Sequence, residues 1–215
     1  MSRERHLVLD LDSTLVHTSE EMKQIFLTLN LYNDPHHAAM RGRIEGFSIY
    51  DVFDEPGTGN ELRMWTCLRP HLREFLDFAH RYFTKIFIWS AGQHKYVHAI
   101  VDLLFPSYYP RPPVIFTWKN CVINGRTILK PLANLYTQLK AYNADPTNTF
   151  CVDDRADTFA NNFDNAIHIP VYEPMTLEDV MAPDPTLLQL RDWLCRPEVV
   201  EADDIRTLDK SKIFQ

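Results

Sequence analysis

No stretch of the chain approaches the roughly 18 uninterrupted apolar residues of a membrane-spanning helix, so no membrane association is expected. No secretory hydrophobic region opens the sequence either, because the apolar run Leu7-Val8-Leu9 is cut off by Asp10. The four cysteines, Cys67, Cys121, Cys151 and Cys195, include no CxxC pair. Neither a zinc site nor a disulfide framework is therefore expected, and buried free thiols in a reducing compartment fit better. Basic character is also missing. With 22 Lys and Arg against 29 Asp and Glu the net charge is −7, which does not advertise contact with nucleic acid. No repeat or low-complexity tract interrupts the 215 residues, a length sufficient for one domain with a sizeable core and an insertion. Together these absences point to a soluble intracellular protein, nuclear or cytoplasmic, with no direct nucleic-acid partner expected.

What is present is a series of short apolar runs that end abruptly in polar residues. Leu7–Leu9 precedes Asp10, Ile86–Trp89 precedes Ser90, and Phe150–Val152 precedes Asp153; a further run, Ile167–Val171, lacks such an ending. Short continuous runs suit strands buried on both faces, as in a parallel sheet. Between them lie apolar stripes at helical spacing: Leu72, Phe75, Leu76, Ala79 and Phe83; Tyr96, Val97, Ile100, Val101 and Leu104; Leu132, Leu135, Tyr136 and Leu139; and Leu187, Leu190 and Leu194. The alternation predicts an α/β fold with a central, mostly parallel sheet flanked by helices. Residues 18–67 break the pattern. Phe47–Phe53 and Leu62–Leu68 read as strands of a hairpin turned through Glu55–Asn60, with Met22–Leu31 as a helix before them. This is a small β-containing insertion between the first strand and the first crossover helix. His36-His37 reads as an exposed loop. The expected domain spans 1–195, followed by a charged C-terminal tail, 196–215, that is not expected to pack.

The strongest chemical signal is Asp10-Leu11-Asp12-Ser13-Thr14, directly after the first strand. Two carboxylates at i and i+2, where a buried strand opens into a loop, can both face a ligand at the carboxyl edge of the sheet. Asp and Ser also favour plain turns and caps. Ser90, with Gly92 behind it, can cradle a phosphate at a helix N-terminus or simply cap that helix. Lys130 stands just before the third helical stripe. Asp153-Asp154-Arg155 follows another strand, and adjacent carboxylates there repel unless a cation joins them. If the runs are neighbouring strands, these groups meet in one crevice.

DLDST at 10–14, WSAG at 89–92, LKPL at 129–132 and VDDR at 152–155 resemble, in order, the four motifs of the haloacid dehalogenase (HAD) superfamily. More narrowly, DLDSTLVHT, LRPHLREFLDF at 68–78 and VDDR resemble the phosphatases that act on the C-terminal domain (CTD) of RNA polymerase II, the small CTD phosphatase or NLI-interacting-factor-like group. The resemblance implies Mg²⁺-dependent hydrolysis of a phosphomonoester through an aspartyl-phosphate, with a phosphorylated protein or peptide such as that CTD as substrate. It implies that Asp10 is the nucleophile and Asp12 the general acid and base, while Ser90 and Lys130 bind the phosphoryl group. Asp10, the backbone carbonyl of Asp12 and Asp154 would hold the metal, with Asp153 and Arg155 behind them. The alternatives are a HAD phosphatase for a small metabolite or a nucleic-acid 3′ end, and a non-catalytic binding module of the same fold. One departure stands out: where many relatives carry an Arg about a dozen residues before the motif lysine, this chain has Trp118 beside Lys119. Phe47, Tyr50, Phe53 and Trp118 form either a pocket for a proline or tyrosine of the substrate or the core of the insertion.

Overall fold

The computed structural model of the protein describes residues 4–30, 35–50 and 61–215. Its strands are β1 (His6–Leu9), β2 (Val16–Thr18), β3 (Ile44–Tyr50), β4 (Glu61–Leu68), β5 (Lys85–Trp89), β6 (Ile115–Phe116), β7 (Val122–Asn124), β8 (Thr127–Leu129), β9 (Thr149–Asp153) and β10 (Ala166–His168). Its helices are α1 (Glu20–Asn30), α2 (Pro35–Arg41), α3 (Leu72–Tyr82), α4 (His94–Leu104), α5 (Leu132–Leu139), α6 (Leu177–Met181), α7 (Thr186–Leu194) and α8 (Pro197–Glu201).

Five strands build an all-parallel sheet in the order β10-β9-β1-β5-β6. Alternation along β1 divides the core. Leu7 and Leu9 face one layer with Phe75, Val97, Ile100 and Leu187, from α3, α4 and α7. Val8 faces the other, with Leu132, Leu135 and Leu139 of α5. Each buried Leu or Phe contributes about 1.5–3 kcal/mol relative to exposure, so this two-sided burial dominates the fold. Truncating Phe75, which is fully buried, would cost about 3–5 kcal/mol.

Chain order places β5 and β6 on one side of β1 and β9 and β10 on the other. The direction of winding reverses beside β1, where open α/β sheets bind ligands at the carboxyl ends of their strands. Register sharpens this. Leu9 is level with both Ile88 and Val152, so the next residue, Asp10, stands beside Asp153 and one position short of Ser90.

The insertion expected at 18–67 has its own small antiparallel sheet, β2-β4-β3. The helix expected at Met22–Leu31 is α1, and its Met22, Ile25 and Leu29 pack on Ile44, Cys67, Tyr172 and Val180. The turn Glu55–Asn60, Phe53 and the side chains of His36 and Tyr50 lie outside the described residues.

Three local expectations differ from the structure. His37 belongs to α2, whose first residue is Pro35; proline suits that position because its missing N–H has no helical partner there anyway. The run Ile167–Val171 is strand only to His168, although Ile169 stays buried. Residues 196–215 are packed: Val199, Ile205 and Ile213 join the main core, and the Ile205 amide donates to the Thr147 carbonyl at 2.9 Å. This segment closes the sheet edge opposite Asp10. Among the described residues no helix is long and apolar enough to cross a membrane.

Candidate active site

Asp10, Asp12, Ser90, Lys130, Asp153, Asp154 and Arg155 line one cleft of about 380 Å³, together with Ser13, Gly92, Thr158 and Glu173. Every site residue expected from the sequence is therefore brought to one place. Each arrives from the end of an element. Asp10 follows β1, Ser90 follows β5, Lys130 follows β8, and Asp153 ends β9. The Asp10 amide is tied to the Val152 carbonyl at 3.0 Å, which fixes the loop to the sheet.

Lys130 is the electrostatic centre. Its ammonium donates to Asp10 Oδ1 and Asp153 Oδ2, each at 2.6 Å, and all three side chains are nearly inaccessible to solvent. Burial alone would depress the lysine pKa, but the two carboxylates more than offset this and push it up. The other Asp153 oxygen accepts the Arg155 amide at 2.9 Å. Arg155 acts on the site through that backbone bond; its guanidinium turns outward to Asp157. One ammonium does not satisfy the whole cluster. Burial drives the Asp10 carboxyl up to about 8 against the opposing pull of Lys130. Burial, with Asp153 next, also raises Asp154.

Ligand oxygens of Asp10, Asp153 and Asp154 lie within 4.8 Å of one another. An all-oxygen, carboxylate-rich set with residual negative charge fits a hard divalent cation such as Mg²⁺. These three carboxylates are the ones placed to hold a metal.

The loop carrying Asp12 is braced from several sides. Ser13 has φ +58°, a left-handed conformation that favours glycine. It is held there by a hydrogen bond from its hydroxyl to Glu173 Oε1 at 2.8 Å and one from the Tyr172 amide to its carbonyl at 2.7 Å. Thr14 Oγ1 accepts from the Asp154 amide at 3.1 Å, linking the first and last motifs. Buried Arg69, from the Leu68–Phe78 segment, donates to the Thr14 carbonyl and to Asp184, both at 2.9 Å.

Asp12 is half-buried, and burial raises its carboxyl pKa while hydrogen bonds from Tyr96 and Ser90 oppose the rise. The Ser90 hydroxyl accepts from the Gly92 amide at 3.0 Å. Gly92 is needed for space: a Cβ there would stand 3.0 Å from Tyr96 Cδ1 and 3.0 Å from Val97 Cγ2. Trp118 and Lys119 are exposed in a short 3₁₀ turn and do not line the cleft, although the Trp118 amide donates to the Gly92 carbonyl at 3.0 Å. Phe47 packs on Tyr96 with ring centroids 6.1 Å apart.

Sequence reasoning quoted Thr14 and Arg69 inside its motifs without giving them a role, and it missed Glu173 and Tyr96. The spacing of Tyr96, Val97 and Ile100 reads as an apolar stripe, yet the Tyr96 hydroxyl bonds to Asp12. Its position six residues after Ser90, in the first turn of the helix that follows the motif, was the available signal.

The model of NLI interacting factor-like phosphatases matches residues 5–206. A CTD phosphatase-like protein of Invertebrate iridescent virus 6 is 26% identical over 137 residues, covering 60% of this chain and 74% of the viral protein. Among solved structures, the fission yeast RNA polymerase II CTD phosphatase Fcp1 bound to beryllium fluoride superposes with TM-score 0.67 and 15% identity, covering 94% of this chain and 69% of the other. A second Fcp1 structure gives TM-score 0.65 at 15% identity, covering 94% and 68%. At that identity the likeness is one of fold.

Proposed function

The chain belongs to the family of NLI interacting factor-like phosphatases, and we propose that it is a Mg²⁺-dependent protein phosphatase that removes phosphate from serine or threonine. The observation that carries this reading is the Asp10–Lys130–Asp153 triad at the mouth of β1, with Asp154 completing the acidic cluster.

Asp10 is the nucleophile. Its carboxylate attacks phosphorus, the bond to the serine oxygen breaks, and an aspartyl-phosphate forms. Asp12 donates a proton to the departing alkoxide, then takes one from the water that hydrolyses the aspartyl-phosphate. Lys130 and Ser90 face the phosphoryl oxygens, where a fixed ammonium and hydroxyl stabilise charge as it develops. Asp153 aims Lys130, and the Arg155 amide aims Asp153. Asp10, the Asp12 carbonyl and Asp154 would hold Mg²⁺, which when bound offsets the repulsion between the carboxylate and an anionic phosphate. The name of Fcp1 supports a phosphorylated segment like the RNA polymerase II C-terminal domain as substrate, and hence work in the nucleus or cytoplasm.

The test is a panel of phosphoserine peptides, nucleotides and sugar phosphates, assayed with Mg²⁺ and with EDTA, on the native protein and Asp10→Asn. Peptide hydrolysis that stops in EDTA and in the folded Asp10→Asn variant is expected. Preference for a nucleotide or sugar would overturn the protein-substrate assignment. Full activity in EDTA would overturn the metal, and an active Asp10→Asn variant the nucleophile.

A further inference from the structure

Tyr96 occupies the first turn of α4 and sends its hydroxyl between two partners, Asp12 Oδ1 and Thr18 Oγ1, the latter at 2.8 Å. A phenol carries one proton and can donate one bond while accepting another. It can therefore give its proton to the Asp12 carboxylate while accepting from Thr18. The reverse arrangement, accepting from a protonated Asp12 while donating to Thr18, uses the same atoms in the same places.

The ring is wedged in place. Gly92 leaves the space it occupies, since a Cβ there would lie 3.0 Å from Tyr96 Cδ1, and Phe47 of β3 packs against it. Thr18 ends β2, so Thr18 and Phe47 both belong to the small antiparallel sheet rather than to the parallel one.

We infer that Tyr96 is a positioning residue that fixes the Asp12 carboxyl for proton transfer to the leaving oxygen, with Thr18 and the insertion sheet holding it there. The inference rests on the assignment of Asp12 as general acid. In the step concerned, Asp10 forms the new bond to phosphorus, the bond from phosphorus to the leaving oxygen breaks, and the Asp12 proton passes to that oxygen. A carboxyl free to rotate would deliver the proton from the wrong place, and a misplacement of about 1 Å costs on the order of 100-fold. The loss should depend on the leaving group. A serine alkoxide needs the proton as it departs, whereas a nitrophenolate needs little help.

The experiment measures the single-turnover burst of leaving group from a phosphoserine peptide and from p-nitrophenyl phosphate. The native protein, Tyr96→Phe, Thr18→Val and Asp12→Asn are compared. Tyr96→Phe should slow the peptide burst about 10- to 100-fold and the nitrophenyl burst less than about three-fold, with KM for both substrates unchanged. Thr18→Val should show a smaller split in the same direction, and it carries the test if Tyr96→Phe misfolds. Binding of beryllium fluoride at Asp10 should be unaltered in both, as a general loss of structure would not allow. Equal losses on the two substrates, or a change confined to KM, would overturn the inference while a split in Asp12→Asn leaves the acid in place. Absence of a split in Asp12→Asn itself would remove the acid assignment and this inference with it.

Discussion

The Lys130 ammonium lies 2.6 Å from Asp10 Oδ1, inside a site from which solvent is almost excluded. Removing one partner of a buried ion pair leaves the other charge uncompensated and costs about 3–5 kcal/mol. Here two carboxylates depend on the same cation. Lys130→Met should therefore lose stability, by up to about that much. Turnover should fall by at least about 10²–10³, the usual loss when one preorganised charge-stabilising donor is deleted. Residual activity should move to more alkaline pH, because Asp10 without its cation holds its proton more tightly. Urea denaturation and a pH–rate profile check both halves; an unmoved profile would separate Lys130 from Asp10 ionisation.

Ser13 raises a backbone question that side-chain contacts alone do not answer. At φ +58° a non-glycine residue carries about 1–2 kcal/mol of strain, and the bond to Glu173 opposes it. Ser13→Gly removes the strain and the bond together, so its stability should stay within about 1 kcal/mol of the native protein. Ser13→Ala keeps the strain and loses the bond, so it should be less stable by about 1–2 kcal/mol. Urea denaturation of the two variants decides the matter, and the reverse order would show that the left-handed conformation at Ser13 carries no such strain.

Most of the catalytic edge was legible because a parallel sheet writes itself plainly in sequence. Runs buried on both faces are uniformly apolar, and the first polar residue after each must lie at the edge; Asp10, Ser90 and Asp153 are all found that way. The hairpin of the insertion was legible for the complementary reason, a turn-rich segment between two extended runs. What was not legible depends on tertiary partners. Tyr96 shares its helical face with Val97 and Ile100, and only the approach of Asp12 and Thr18 turns its hydroxyl into part of the site. The end of the chain hid its core residues by spacing them widely: Val199, Ile205 and Ile213 sit among charged neighbours with neither helical nor strand periodicity. The brief α2 was hidden because Pro35 and two histidines look like a loop until proline is read as a helix start.

The last prediction concerns the pH at which the metal binds. Burial holds the Asp10 carboxyl up at about 8 in the metal-free protein, with Lys130 pulling it down and Asp153 pushing it further up. Because this pKa is raised from 3.8 on folding, the group's contribution to stability is fully present below pH 3.8 and is lost as pH rises toward 8. A divalent cation reverses that preference by favouring the ionised carboxylate. Below about pH 8, then, Mg²⁺ must displace a proton, and its apparent affinity should rise with pH by up to about ten-fold per unit before levelling off. Titration calorimetry in two buffers of different protonation enthalpy reads the proton directly. Close to one proton should be released near pH 6.5 and almost none near pH 9, with the gain in thermal stability on adding Mg²⁺ growing over the same interval. Asp10→Asn, which has no proton to release there, should bind the metal more weakly and with a flatter pH dependence. Proton release that persists unchanged in Asp10→Asn would place the titrating group elsewhere in the cluster, and the candidate would then be Asp154, whose carboxyl burial also raises.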